Sequence, residues 1–142
     1  SFSSLNLDAA QLKNLAALNY ETMTPIQAAT LPIILEGKDV VAKAKTGSGK
    51  TAAFGLGLLQ ALDPRSFAIQ ALILCPTREL ADQVGKELRR LAQGISNIKL
   101  LSLCGGKPFG PQKLSLKHGG HIVVGTPGRV LDHLERGTLK LS

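Results

Sequence analysis

The sequence predicts an α/β fold with a doubly wound parallel sheet, and three observations carry that expectation. Apolar runs of strand length alternate with helical stretches along the whole 142-residue chain. The run Ala71-Leu72-Ile73-Leu74-Cys75 is continuously apolar, as a strand covered on both faces of a parallel sheet should be; a strand with one wet face would alternate. A glycine-rich loop stands between an expected strand and an expected helix.

From Asp8 to Leu18, residues Ala9, Leu12, Leu15, Ala16 and Leu18 fall at helical spacing, and Asp8 with Gln11 forms a capping-box pattern. Thr24-Pro25 supplies an N-cap and a proline at the first helical position of a second helix, disturbed at Pro32 and stopped near Gly37. Asp39 to Ala44 reads as a short strand, and Lys50 to Leu62 as the helix after the glycine loop. Pro76 ends the Ala71 to Cys75 strand. Arg78 to Leu91 is an amphipathic helix with Leu80, Val84, Leu88 and Leu91 as its stripe and Asp82, Lys86, Glu87, Arg89 and Arg90 elsewhere on the wheel. Ile98 to Leu103 and His121 to Gly125 are further strands. Val130, Leu131 and Leu134 mark a last helix after the Thr126-Pro127-Gly128 turn. The chain shows no repeat, linker or internal boundary, so residues 1–142 are expected in one domain.

With 44% hydrophobic residues the chain has the apolar content to pack a core, and 17 Lys+Arg against 10 Asp+Glu leave a net charge of +7 that favours a polyanionic partner. No apolar run approaches the ~18 residues of a membrane helix, so no membrane association is expected. The start lacks a secretory pattern and two cysteines make no disulfide framework, which points to the cytoplasm. His118, His121 and His133 with Cys75 and Cys104 lack metal-ligand spacing, Cys75 reads as a small core residue, and Lys86, Arg89 and Arg90 read as a solvated face.

Ala44-Lys45-Thr46-Gly47-Ser48-Gly49-Lys50-Thr51 fits the phosphate-binding pattern G-x-x-x-x-G-K-[ST], with Ala44 where the first glycine would be. Such a loop needs glycines because backbone N–H groups must turn inward around phosphate oxygens at the positive end of the following helix. Thr46, Gly47, Ser48 and Gly49 would form the cradle. Lys50, the candidate catalytic residue, would reach the β- and γ-phosphates of ATP, and the Thr51 hydroxyl would ligate Mg²⁺. Gly47 to Ala52 also satisfies the dinucleotide fingerprint G-x-G-x-x-[G/A], but that motif predicts an acidic residue about 20 positions on, where Cys75-Pro76-Thr77 stands.

Together with this loop, several segments resemble the DEAD-box family of ATP-dependent RNA helicases, and among them the bacterial DbpA-type members. Asn19-Tyr20-Glu21-Thr22-Met23-Thr24-Pro25-Ile26-Gln27 resembles the family's Q motif, with Asn19 for a usual Gly, Met23 for a usual Pro, and Phe2 as the isolated upstream aromatic. The resemblance implies that Gln27 pairs with the adenine edge, its amide offering both donor and acceptor, and that Phe2 lies against the ring. Tyr20 reads as packing. Pro76-Thr77-Arg78-Glu79-Leu80-Ala81-Asp82-Gln83 resembles motif Ia, Gly105-Gly106 the GG motif and Thr126-Pro127-Gly128-Arg129 motif Ib. All three follow expected strands, and loops at the carboxyl ends of parallel strands share one edge. There Thr77 and Thr126 offer hydroxyls, Gly105, Gly106 and Gly128 expose N–H groups, and Arg78 and Arg129 place bidentate charge at helix N-termini, chemistry suited to the backbone of single-stranded RNA.

The resemblance implies a RecA-like P-loop domain with helices on both faces of its sheet, incomplete at the C-terminus. The family's Asp-Glu-Ala-Asp motif, Ser-Ala-Thr segment, second RecA-like domain and accessory tail are not in these residues, which hold no two adjacent acids. The expectation is therefore a part of an RNA helicase that unwinds duplexes locally by working with the second domain of its parent chain, with ribosomal RNA as the substrate that the DbpA-type resemblance implies. By itself this part should hydrolyse nothing and leave strand edges uncovered. The residues leave two other readings open: a basic RNA-binding module with a vestigial nucleotide loop, and another P-loop ATPase or kinase.

Overall fold

The computed structural model describes residues 2–5, 7, 9–18, 20, 22–42, 49–94 and 98–141. The chain divides into two compact units, Ser1–Leu62 with Glu87–Ser96 and Asp63–Lys86 with Asn97–Ser142. No described helix is long and apolar enough to cross a membrane.

The first unit holds α1 (Ala9–Ala17), α2 (Pro25–Leu35), α3 (Lys50–Ala61) and the end of α4 (Arg78–Leu91). Thr24 is the extended N-cap of α2 and Pro25 its first residue, where a missing N–H costs nothing; the helix continues through Pro32 to its C-cap at Glu36. Around α3 the packing is close. A Cβ on Gly57 would stand 2.0 Å from Ile34 Cγ2, and one on Gly55 would stand 2.8 Å from Leu88 Cδ2. Leu15, Leu31, Leu56, Leu59, Leu88 and Leu91 are buried.

Of the capping box expected at the start of α1, only Gln11 is among the described residues. Its Nε2 donates to the Leu91 carbonyl at 3.1 Å, and Asn14 Nδ2 donates to Arg90 and Leu91 carbonyls at 3.1 and 3.0 Å. These are carbonyls that the end of α4 leaves without helical partners; Asp8, the other half of the expected box, lies outside the described residues. Residues 39–42 of the expected strand form no strand among the described residues, and Val41 is 94% exposed; residues 43–44 lie outside the described residues.

The second unit is built on a parallel sheet of β1 (Ala71–Leu74), β2 (Leu100–Leu103) and β3 (Ile122–Gly125) in the order β1-β3-β2. Ile122, Val123 and Val124 are all buried, so β3 is covered on both faces as its unbroken apolar run requires. Leu101, Leu103, Val123, Val130 and Leu139 form the core, with Leu72 and Leu116 packed against it. The final helix, α6, spans Pro127–Glu135. The α4 stripe runs through Ala81, Val84, Leu88 and Leu91, while Leu80, expected on it, is 40% exposed; Ala81 holds the inward position one residue on. Sequence reading missed α5 (Phe109–His118), whose apolar residues show little periodicity. Its signals were Pro111 in the first turn and Gly119 just past the end.

Candidate functional site

Thr46, Gly47 and Ser48 of the expected cradle lie outside the described residues, and the described part of the loop begins at Gly49. Gly49 is the left-handed N-cap of α3, with φ of 91°. Lys50 and Thr51 are the first two residues of the helix, where amides without helical acceptors favour phosphate. The Gly49 carbonyl accepts from Ala53 N–H at 3.1 Å and from Gln27 Nε2 at 3.1 Å. Gln27 Oε1 accepts from the N–H of Thr24 at 3.0 Å. A Cβ at position 49 would fall 2.4 Å from Gln27 Nε2 and 2.9 Å from Thr24 Oγ1, so the position is closed to a side chain as well as left-handed. Thr24 Oγ1 is buried and has no partner.

Gln27 is buried, with one N–H and one lone pair beyond these bonds. Phe2 is buried too, edge-on to Tyr20 at 6.4 Å between ring centroids, and the Tyr20 hydroxyl donates to Glu87 Oε1. The structure thus joins Gln27 to Gly49 at the start of α3, and it seats Phe2 on Tyr20.

In the second unit the sheet register aligns both Leu74 and Leu103 with Gly125, so β1, β2 and β3 end level. Pro76-Thr77-Arg78, Gly105-Gly106 and Thr126-Pro127-Gly128-Arg129 all leave from that edge, and three contacts tie them together. Gly105 N–H donates to Thr126 Oγ1 at 3.0 Å. The Arg78 guanidinium lies over Gly106, where φ is 80° and a Cβ would come within 2.7 Å of Nη1. Arg129 Nη1 donates to the Lys107 carbonyl at 2.7 Å. Thr77 Oγ1 accepts from Leu80 N–H at 3.2 Å at the start of α4. Both threonine hydroxyls therefore accept from backbone and keep their own hydrogens to donate, whereas the Gly105 N–H, expected to be open, is used inside the cluster. Pro76, Thr77, Arg78, Gly106, Pro127 and Gly128 are exposed.

Sequence reasoning missed a polar chain behind Arg129. Gln112, on α5, donates from Nε2 to the Cys104 carbonyl at 3.0 Å. Its Oε1 stands 3.1 Å from Arg129 Nη1 and 2.9 Å from His133 Nε2. His133 Nδ1 is 2.7 Å from Thr138 Oγ1. Phe109 stacks on the His133 ring at 4.2 Å, and the Arg136 guanidinium lies 4.5 Å from the Phe109 centroid. Burial first, then the charges of Arg129 and Arg136, push the His133 pKa down, against Asp132. Only the spacing of a helical Gln, Arg and His could have hinted at this meeting. Burial and the neighbouring Cys104 push the Cys75 thiol up, and Cys75 is a buried core residue as expected. Among the described residues no group of three or more His, Cys, Asp or Glu is placed to hold a metal. Lys86, Arg89 and Arg90 are exposed.

The family model described as DEAD/DEAH box helicase matches residues 24–142. The ATP-dependent RNA helicase DbpA of Escherichia coli K12 is 66% identical over 142 residues, which cover 99% of this chain and 31% of that protein. Among solved structures, a DEAD box protein from the hyperthermophile Methanococcus jannaschii superposes with a TM-score of 0.92 at 45% identity, covering 99% of this chain and 38% of that one. Saccharomyces cerevisiae Dbp5 bound to RNA and ADP BeF3 gives 0.89 at 30% identity, covering 100% and 36%. The chain thus spans about a third of the length of these relatives.

Proposed function

Because this chain belongs to the DEAD/DEAH box helicase family, we propose that the protein carrying it is an ATP-dependent RNA helicase. In this reading the first unit takes ATP, and the level strand-end edge of the second takes the backbone of single-stranded RNA. The observation that carries the reading is the tying of three loops into one edge, through Gly105 to Thr126, Arg78 over Gly106 and Arg129 to Lys107. That edge offers hydroxyl hydrogens, helix N-termini and two guanidinium groups, and none of these groups reads a base.

On the ATP side, Lys50 meets the β- and γ-phosphates, Gly47 to Gly49 line them, and Gln27 and Phe2 recognise adenine. Gly49 supports a phosphate there, since a glycine with no side chain leads directly into the first turn of α3. Mg²⁺, held through Thr51, would neutralise charge on the phosphate oxygens. Local unwinding then requires the second RecA-like domain of the parent chain, with ribosomal RNA as the substrate that the DbpA-type resemblance implies.

The test is phosphate release by the full-length protein with and without RNA. RNA should stimulate release, and Lys50→Ala should lower it by roughly 10²–10³, the usual cost of losing a group aimed at developing phosphoryl charge. Release that ignores RNA would point instead to another P-loop ATPase. RNA affinity indifferent to ATP analogues would point to a binding module with an idle loop.

A further inference from the structure

The polar chain behind Arg129 belongs to no motif singled out above, and its hydrogen-bond logic fixes how Gln112 is turned. The Cys104 carbonyl can only accept, so it fixes Gln112 with Nε2 toward β2 and Oε1 toward α6. Oε1 can only accept, so the His133 nitrogen facing it at 2.9 Å carries a hydrogen and the neutral ring is the Nε2–H tautomer; the Thr138 hydroxyl, 2.7 Å from Nδ1 and 3.1 Å from the His133 carbonyl, has one hydrogen for these two acceptors. The second donor to Oε1 is Arg129 Nη1, whose other hydrogen goes to the Lys107 carbonyl. Both Nη1 hydrogens are thereby used within the protein. Among the described residues nothing bonds the Nε and Nη2 edge of the guanidinium, a two-pronged donor suited to one phosphate. Phe109, stacked on His133, closes one side of the chain, and Gln112 and His133 are themselves buried, so the arrangement is packed in place.

We propose that Gln112, oriented by the Cys104 carbonyl and by His133, is a positioning residue that holds the Arg129 guanidinium with its Nε and Nη2 edge toward the RNA backbone. The inference rests on the assignment of Arg129 to RNA made above. Without Gln112 the charge of Arg129 survives, but the fork turns and loses its preset geometry.

The experiment measures single-stranded RNA affinity of the full-length protein across a salt series for Arg129→Ala, Gln112→Met and the double variant. Each phosphate contact contributes about 0.7 to the logarithmic salt slope for a single strand. Arg129→Ala should reduce the slope by about that amount and weaken binding by roughly tenfold, the lower range for a charge-assisted bond. Gln112→Met should reproduce most of both effects, and the double variant should bind no more weakly than Arg129→Ala alone. A loss of folded protein would lower the active fraction without changing the slope, which separates positioning from a merely structural role. A Gln112→Met slope equal to wild type, or additive losses in the double variant, overturns the inference and leaves the RNA assignment standing. Wild-type affinity and slope in Arg129→Ala overturn the RNA assignment itself. Should Gln112→Met fail to fold, Thr138→Val carries the test from the half-exposed end of the chain. It should weaken RNA binding in the same direction by a smaller factor, and unchanged affinity there overturns the inference.

Discussion

In the first unit, Gln27 reaches across to the carbonyl of Gly49 and leaves no room for a side chain at that glycine. In the second unit, the strand-end edge is held by several separate contacts: Gly105 to Thr126, Arg78 over Gly106, and Arg129 to Lys107 and Gln112. The first arrangement is steric, and a single added methyl group breaks it. The second is distributed, so removing one bond leaves the others. Residues of the first kind should therefore behave as switches under mutation, and residues of the second as graded contributors.

The largest effect should follow Gly49→Ala. The left-handed φ of 91° costs an L-residue about 1–2 kcal/mol, and the new Cβ would fall 2.4 Å from Gln27 Nε2. Thermal unfolding should show the stability loss, and ATP titration should show affinity reduced by roughly tenfold or more, since either escape route moves the start of α3 or ejects the Gln27 amide. Adding Gln27→Ala should recover the part of the stability loss due to the clash with Gln27 and none of the part due to φ or to Thr24 Oγ1 at 2.9 Å. Full recovery would show that the backbone conformation itself carries no strain.

The same contrast explains what sequence alone could reveal. Patterns carried by neighbouring residues were legible: α4 runs from Arg78 to Leu91 as its stripe predicts, Thr24-Pro25 opens α2, and the apolar runs at Ala71 and Ile122 are parallel strands. Placing the three loops at one edge followed from strand polarity alone. Long-range side-chain meetings were not legible. Gln11 spans 80 residues to reach Leu91, and Gln112 meets His133 across 21 residues from a helix whose weak periodicity hid it. The sequence around His133 shows only that it lacks metal-ligand spacing, because Gln112 and Phe109 are brought to it by the packing of α5 against α6.

Thr126→Val tests the graded side. It removes the acceptor for Gly105 N–H while keeping the side-chain shape, and a net loss of about 1 kcal/mol is typical for one such bond. RNA affinity should fall about fivefold with ATP affinity unchanged, and Thr126→Ser should restore most of it. A collapse of RNA binding after this one substitution would show that the edge is no more distributed than the Gly49 turn.

The smallest effect concerns pH and arises from the same polar chain. His133 is buried, and α6 faces it with the cation of Arg129 and the carboxylate of Asp132, the C-cap Arg136 adds a second cation, Thr138 faces it with a hydroxyl, and α5 faces it with neutral Phe109 and Gln112. Its folded pKa lies below the ordinary value near 6.5, so between those two values the unfolded chain binds more protons than the folded one. The stabilising contribution is complete above pH 6.5 and is lost as pH falls from there through the folded value. Denaturant midpoints measured from pH 7.5 downward should therefore decline, with part of the decline absent in His133→Gln, which cannot titrate. Equal pH profiles in the two proteins would mean that protonated His133 is accommodated in the fold. In that case Gln112 Oε1, still an acceptor for Nε2–H, would hold Arg129 as well at acid pH as at neutral, and the edge would keep its RNA-facing geometry throughout.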